Sequence, residues 1–450
     1  MLKPRWTSPL ALPLAAAVLC SAALVAGDAR AAQITDVADA ADGDDPFDAN
    51  LELNLEYTFH RALITRENTQ RSTLDDEIRT VRVRELDYIR HRVRLMPRVE
   101  VGVFHDLAVF AEWPILLWDQ RNLAFTGNTT IDNSTIGRDM NNAPVVDAWD
   151  DPGEQYGIPG VQRQQAHNAW GFNLDQNGSF QKIRSGLDYP VVGGRWSPVN
   201  NERDPTKPTI TLQFDYKVAF IPLPVAQSDG EPPASEVSLF AADGTHRFHG
   251  LFAISKRFLL LDPYFMADYT FPLAASTSVL GMEPRHDGGF LLGMEIVPYE
   301  NDDLDQKFAV DLSFGARYFS PGRDYSEMSD ALGELTLTDE FFRTSLAGKL
   351  YFRAWKFIYI DLTGEMMYDT PHYLTTEQIG CDGGCPDAGL LPRVINAFDG
   401  SLIRDGQVSL DRADGERNPY FNPVYDTVGR RFRVEESIRF RILGHVALTF

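Results

Sequence analysis

Hydrophobic and polar residues alternate along much of this chain, and the alternation is clearest at its end. From Glu436 to Phe450, every second residue counted back from the terminus is Phe450, Leu448, Val446, Gly444, Ile442, Phe440 and Ile438. The residues between them are Thr449, Ala447, His445, Leu443, Arg441 and Arg439. A period of two predicts a β-strand with unlike environments on its two faces. The same signature recurs upstream. It predicts strands over Asn50–Phe59, Ile89–Val103, Leu107–Trp118, Ser185–Ser197, Thr209–Ile221, His246–Phe258, Tyr264–Pro272, Gly288–Pro298, Lys307–Phe319, Phe341–Arg353 and Lys356–Tyr368. With the terminal strand the total is about twelve.

The connections sort by length. Counted from the first, odd ones are long and even ones short: about 25 residues then His105-Asp106, about 65 then NNERDPTKP, and so on to about 60 before the last strand. Antiparallel neighbours joined this way carry their long loops at one end and short turns at the other, as transmembrane β-barrels do. A soluble sandwich gives no reason for the asymmetry, and a loop as long as 119–184 is uncommon in a compact soluble domain. The expected fold is therefore all-β: an up-and-down transmembrane barrel with long extracellular loops, 119–184 and 369–430 the largest, and short periplasmic turns. Because hydrocarbon offers no partner to backbone polar groups, the sheet must close, first strand on last. Trp113, Trp118, Tyr264, Trp355, Tyr368 and Phe450 fall near strand ends, as interfacial girdle residues do.

The N-terminus places the chain outside the cytoplasm. Lys3 and Arg5 precede an apolar run from Leu10 to Ala26 and then Ala29-Arg30-Ala31, the pattern of a secretory signal peptide over 1–31 cleaved after Ala31. Cys20 follows Val18-Leu19, which lack the small side chains of a lipoprotein site. The expected organisation continues with an acidic periplasmic linker, 32–49, and the barrel domain, 50–450. Cys381 and Cys385, in CDGGC, then lie in an oxidising compartment and are expected to form a small disulfide loop. With 44% hydrophobic residues the composition resembles a soluble protein, but a barrel looks the same because only alternate residues face lipid. A formal net charge of −22 argues against nucleic-acid binding, which requires basic surface.

If the apolar faces meet lipid, the opposite faces line the lumen and are heavily charged. Arg90, Arg92, Arg94 and Arg98 come from the second strand, Glu52 and Glu56 from the first, and Arg439 and Arg441 from the last. Closure sets the first strand between the other two, giving an arginine, glutamate, arginine ladder. Further lumen candidates are Asp215, Lys217, Asp311, Arg317, Arg343, Lys349, Asp361 and Glu365. Such a set fits a pore lining that selects by charge and equally fits ion pairs that fill and stiffen a narrow interior. The segment Asp36–Asp48 fits an acidic tail or a plug. The histidines lack ligand spacing, and the outward registers offer His91 and His246 but no serine in a catalytic motif. No catalytic residue, cofactor or metal site is expected. A lipid-modifying enzyme and a receptor using its long loops are the alternatives to a channel.

The terminal strand, with its closing aromatic, resembles that of bacterial outer-membrane barrels, which implies recognition of Phe450 by the barrel-assembly machinery. VGVFHDLAVFAEWPI, SGLD at Ser185–Asp188, TLQFDYKVAFIP and SKRFLLLDPYFMADYTFP resemble proteobacterial outer-membrane transporters associated with phenol meta-pathway and other aromatic-degradation clusters. The similarity covers most of Leu86–Tyr318. It implies passage of a small solute, apolar or aromatic, across the outer membrane, with the lipid bilayer and the solute as partners, while the surplus of arginine on the second strand points to anionic solutes. It transfers no functional residue, and the long insert from Asp119 and the CDGGC loop depart from it.

Overall fold

The computed structural model describes residues 32–35, 37–38, 48–71, 78–127, 129–130, 134, 179–201, 203–204, 206–219, 243–275, 281–301, 304–355, 357–378, 420–421 and 425–450. Twelve antiparallel barrel strands follow one another: β1 (Ala49–Arg71), β2 (Ile78–Phe104), β3 (Leu107–Glu112 and Ile115–Phe125), β4 (Ser179–Leu187 and Val191–Val199), β5 (Thr209–Lys217), β6 (Thr245–Ser255), β7 (Leu261–Ala274), β8 (Asp287–Asn301), β9 (Gln306–Phe319), β10 (Phe341–Trp355), β11 (Ile358–Asp369) and β12 (Phe432–Thr449). Each pairs with its neighbours in sequence, and β12 pairs with β1. The ring is therefore closed, as the missing hydrogen-bond partners in hydrocarbon demand.

Closure is complete at its lower end. The Ala49 amide donates to the Phe450 carbonyl at 3.2 Å and the Phe450 amide returns the bond to Ala49 at 2.9 Å. From there Leu51 faces Leu448, Leu53 faces Val446, and Tyr57 faces Ile442. The outward residues form a belt of exposed large apolar side chains, including Leu51, Leu53, Leu55, Phe214, Leu312, Phe314, Leu346 and Leu362. A band like this, all round a closed sheet, is what a bilayer covers. No helix is long and apolar enough to cross a membrane, a statement with no bearing on strands.

Proline shapes two strands. Pro114 interrupts β3 and Pro190 interrupts β4, since a ring nitrogen cannot donate to the ladder. Their carbonyls stay engaged, with Asp188 donating to Pro114 at 2.9 Å and Val218 to Pro190 at 3.1 Å. The two-residue turn His105-Asp106 joins β2 to β3 with Asp106 at a φ of 51°, a left-handed conformation that aspartate tolerates.

Three expectations need correction. The stretch after Phe59 is not an irregular loop: β1 and β2 continue as a hairpin whose pairing runs out to Arg71 opposite Ile78. At 27 residues, β2 is on the order of 90 Å long, well beyond a bilayer even when tilted. Outside the membrane the outer face meets water while Ala62, Ile64, Leu86 and Tyr88 pack in an apolar cluster, so the alternation set by lipid fades although the strand persists. For the same reason 119–125 and 179–184 belong to strands rather than to the loop between them. Tyr264 is not a girdle residue: it is buried, and its hydroxyl donates to both oxygens of Asp311 at 2.9 Å. In β7 the outward register is Tyr269, Phe271 and Leu273, which leaves even-numbered Tyr264 inside. Trp113, Trp118, Trp355, Tyr368 and Phe450 are exposed, as expected of a girdle. The disulfide expected between Cys381 and Cys385, like the signal segment 1–31, lies outside the described residues.

The inward Tyr264 depends on a glycine opposite it. Gly293 pairs with Tyr264 across β7 and β8, and a Cβ there would stand 2.2 Å from the ring. Gly293→Ala is expected to displace Tyr264 from Asp311 and cost about 1–3 kcal/mol. The midpoint of the heat-induced gel-mobility shift in detergent should fall, and an unchanged midpoint would contradict the packing.

Candidate functional site in the barrel lumen

The lumen is built from the face opposite the lipid-exposed registers, and its charges come in matched groups. Glu56 of β1 sits among arginines from both flanking strands, 2.9 Å from Arg94, 3.2 Å from Arg92 and 3.9 Å from Arg441. This is the expected ladder. Arg441 also holds Glu365 at 2.5 Å. Below it His445 places Nδ1 2.6 Å from Asp361 and Nε2 3.6 Å from Glu52. Glu52 lies 3.9 Å from Arg98, which pairs closely with Glu100.

A second group crosses the opposite wall. His249 on β6 faces Asp215 at 2.8 Å and Asp268 at 3.5 Å. Arg317 bonds Asp268 at 2.6 Å and pairs closely with Asp287. Lys217 reaches Asp188 at 2.9 Å and Asp243 at 3.4 Å. Asp311 stands opposite Lys349 in register. Higher up, Asp369 holds Arg343 at 2.5 Å and Arg439 at 3.0 Å, and Arg90 holds Asp119 at 2.6 Å. Of the sixteen charged residues expected in the lumen, most sit within reach of an opposite charge.

The partners missed from sequence were mostly acids at strand ends or in loops. Asp369 continues the parity of Asp361 and Glu365, so its inward position was readable had β11 been extended by one residue. Asp119 fell just beyond the expected end of β3. Asp330 carried no periodic signal at all.

Asp330 belongs to the connection between β9 and β10, which folds inward. Gly322–Asp324 pairs with Thr336–Thr338 as a small ribbon, and the short helix α1 (Ser329–Leu332) lies at its tip. Gly333 ends the helix at a φ of 73°, the left-handed cap that glycine supplies. Met328, Ala331 and Leu332 are buried against Ala62 and Ile64 of β1, Leu86 and Tyr88 of β2, Leu123 of β3 and Val434 of β12. Around a twelve-strand ring, β3 and β4 lie opposite β9 and β10, so a segment bonded to Arg121 of β3 and to Lys182 and Arg184 of β4 spans the outer mouth. Charge fixes it on the far side: Asp330 bonds Arg121 at 3.0 Å, Lys182 at 3.1 Å and also Arg184. Burial alone would raise the Asp330 carboxyl, but Arg121, Arg184 and Lys182 outweigh it and hold it below the usual aspartate range.

Among the described residues no group of His, Cys, Asp or Glu is placed to hold a metal ion. No family model and no curated protein matches the chain. Solved structures similar to it include the COG4313 outer membrane channel from Pseudomonas putida F1, at 7% identity over 95% of this chain and 100% of that one, with a TM-score of 0.36. A Pseudomonas aeruginosa FadL homologue matches at 8% identity over 90% of each chain with a TM-score of 0.31. The outer membrane protease OmpT of Escherichia coli matches at 7% identity over 90% of this chain and 97% of that one, with a TM-score of 0.29. These likenesses are distant, and the assignment as a transmembrane β-barrel rests on the strand pairing and the apolar belt of the chain itself.

Removing Glu56 would leave three arginines facing one another. Breaking a fully buried ion pair costs about 3–5 kcal/mol. Arg92, Arg94 and Arg441 keep 26%, 27% and 38% side-chain exposure, so water offsets part of that loss. Glu56→Gln is expected to destabilise the barrel by about 1–3 kcal/mol, read as an earlier heat-induced gel shift. A variant as heat-resistant as the parent would show that the ladder contributes nothing to stability.

Proposed function

We propose that this chain is an outer-membrane channel or transporter for small solutes whose outer mouth is closed by the segment 322–338. The observation that carries the reading is the inward fold of that segment within a closed, lipid-facing barrel, latched by one carboxylate against three cations of the opposite wall. A tube needed only as a surface scaffold has no use for a latch across its own bore. The ion pairs below the mouth keep the wall rigid, so that the segment, and not the barrel, is the part that moves.

The lining suggests the solute. The segment packs on an apolar cluster that includes Leu86, Tyr88, Leu123 and Phe432, next to the basic trio Arg121, Lys182 and Arg184. If the segment withdraws, the mouth presents an apolar wall edged by positive charge. That chemistry suits small apolar or anionic molecules better than cations.

Planar-bilayer conductance tests this directly. The parent is expected to insert and conduct in small, infrequent openings, and Asp330→Asn to open more often and more widely because the latch loses its charge. Protonation should act the same way. A carboxyl held below its ordinary value of 3.8 stabilises the closed form at pH above that value and loses the effect as pH falls through its lowered one. Openings should therefore stay rare from neutrality down to roughly pH 4 and increase below it. Insertion of both proteins with no conductance under any of these conditions would rule out a channel.

A further inference from the structure

The periplasmic end of the lumen holds a row of carboxylates on adjacent strands. Asp262 on β7 stands directly opposite Glu295 on β8, which stands opposite Asp311 on β9. Like charges facing one another across a sheet repel. Two of the three have partners: Lys307 lies 2.6 Å from Glu295, and the Tyr264 hydroxyl donates to Asp311 at 2.9 Å. Asp262 differs. It is 1% exposed and both its carboxylate oxygens are buried without a hydrogen bond of good geometry. Lys307 and Arg257 act on it as charges without a hydrogen bond while Glu295 repels it, and a carboxylate at this depth without direct donors is costly.

Among the described residues the hydrogen-bonding group directed at Asp262 is the backbone N–H of Ala32. Ala32 is itself fully buried and begins a short stretch fastened to the inside of the wall. Its carbonyl accepts from the Thr35 amide at 2.8 Å and the Thr35 hydroxyl at 2.9 Å. Thr35 Oγ1 lies 2.8 Å from the Ser255 hydroxyl of β6, and its carbonyl accepts from Thr211 of β5 at 2.9 Å. Arg195 of β4 donates to the Ile34 carbonyl at 3.1 Å, and the Ala38 amide to Glu100 of β2 at 3.2 Å. Strands β2, β4, β5 and β6 thus position this segment, and the position they impose aims the Ala32 nitrogen at the Asp262 carboxylate.

We propose that the α-ammonium of Ala32, created when the leader is removed, docks on Asp262 as its direct hydrogen-bonding cation and fastens the N-terminal segment inside the periplasmic mouth. The inference rests on the expected cleavage after Ala31 and not on conduction. The step is ordinary peptide hydrolysis by a leader peptidase: water adds across the Ala31–Ala32 bond, Ala31 leaves with a carboxylate, and Ala32 keeps the nitrogen as an ammonium. Before cleavage the nitrogen is a neutral amide with a single hydrogen. After it, the same atom carries a charge and three donors. The site is therefore incomplete in the precursor and complete only in the processed chain.

The test is amine accessibility in the full-length protein purified from outer membranes. N-terminal sequencing should give Ala32 as the first residue. Acetic anhydride in isotopically light form would then be applied to the folded protein in detergent at neutral pH, and in heavy form after unfolding, with the Ala32 peptide quantified by mass spectrometry. Raising the amine's pKa by one unit lowers its reactive neutral fraction about ten-fold, so labelling in the folded state should be at least roughly ten-fold slower than in the unfolded chain. Asp262→Asn should remove most of that protection. Thr35→Ala, which alters no barrel residue and so leaves folding intact, should remove it as well by freeing the turn that begins at Ala32. A mature chain starting elsewhere, an amine labelled as fast folded as unfolded, or protection unchanged in both variants would each overturn the proposal.

Discussion

The structure depends on one constraint: a backbone amide or carbonyl inside hydrocarbon has no partner except another strand. Each strand is therefore bonded on both edges within the membrane, and the chain ends must meet. The reciprocal bonds between Ala49 and Phe450 are the last of that series. The apolar outer belt and the charged interior follow from the pleat, which sends alternate side chains to opposite faces of a sheet that is wet on one side only. Even the prolines obey the rule, since Pro114 and Pro190 break strands while their carbonyls remain bonded.

Most of this was legible in sequence because the membrane imposes contrast. Where β9 crosses hydrocarbon, with Leu312 and Phe314 against Asp311 and Ser313, period-two alternation is sharp and the strand is found within one residue of its expected ends. Where β1 and β2 leave the bilayer the contrast disappears and the pattern fails, although the pairing continues for a dozen residues. Parity served equally well for the lumen. It placed Glu56 among Arg92, Arg94 and Arg441, and it failed for Tyr264 because a strand started three residues late hides which side its first aromatic faces.

What the sequence did not disclose is the arrangement at the two mouths. The β9 to β10 connection looks like any polar loop, and its inward fold depends on Met328 and Leu332 meeting apolar residues from four other strands. No local pattern encodes contacts of that range. The lower mouth is similar: Ala32 to Ala38 read as an acidic linker, and its anchors are the single side chains Glu100, Arg195, Thr211 and Ser255, spread over four strands. Both mouths are thus governed by tertiary chemistry, while the wall between them is governed by periodicity.

The placement of Glu56 has a consequence in time. Its cations come from β2, the next strand in the chain, and from β12, the last one. His445 of β12 likewise stands between Asp361 of the preceding strand and Glu52 of the first. While the barrel is still open, Glu52 and Glu56 have only β2 for company. The final backbone bonds and these final charge pairs thus depend on the same strand, β12. A wrong register of β12, shifted by one residue, would turn His445, Arg441 and Arg439 towards lipid and leave both glutamates short of partners, and the seam therefore proofreads its own alignment.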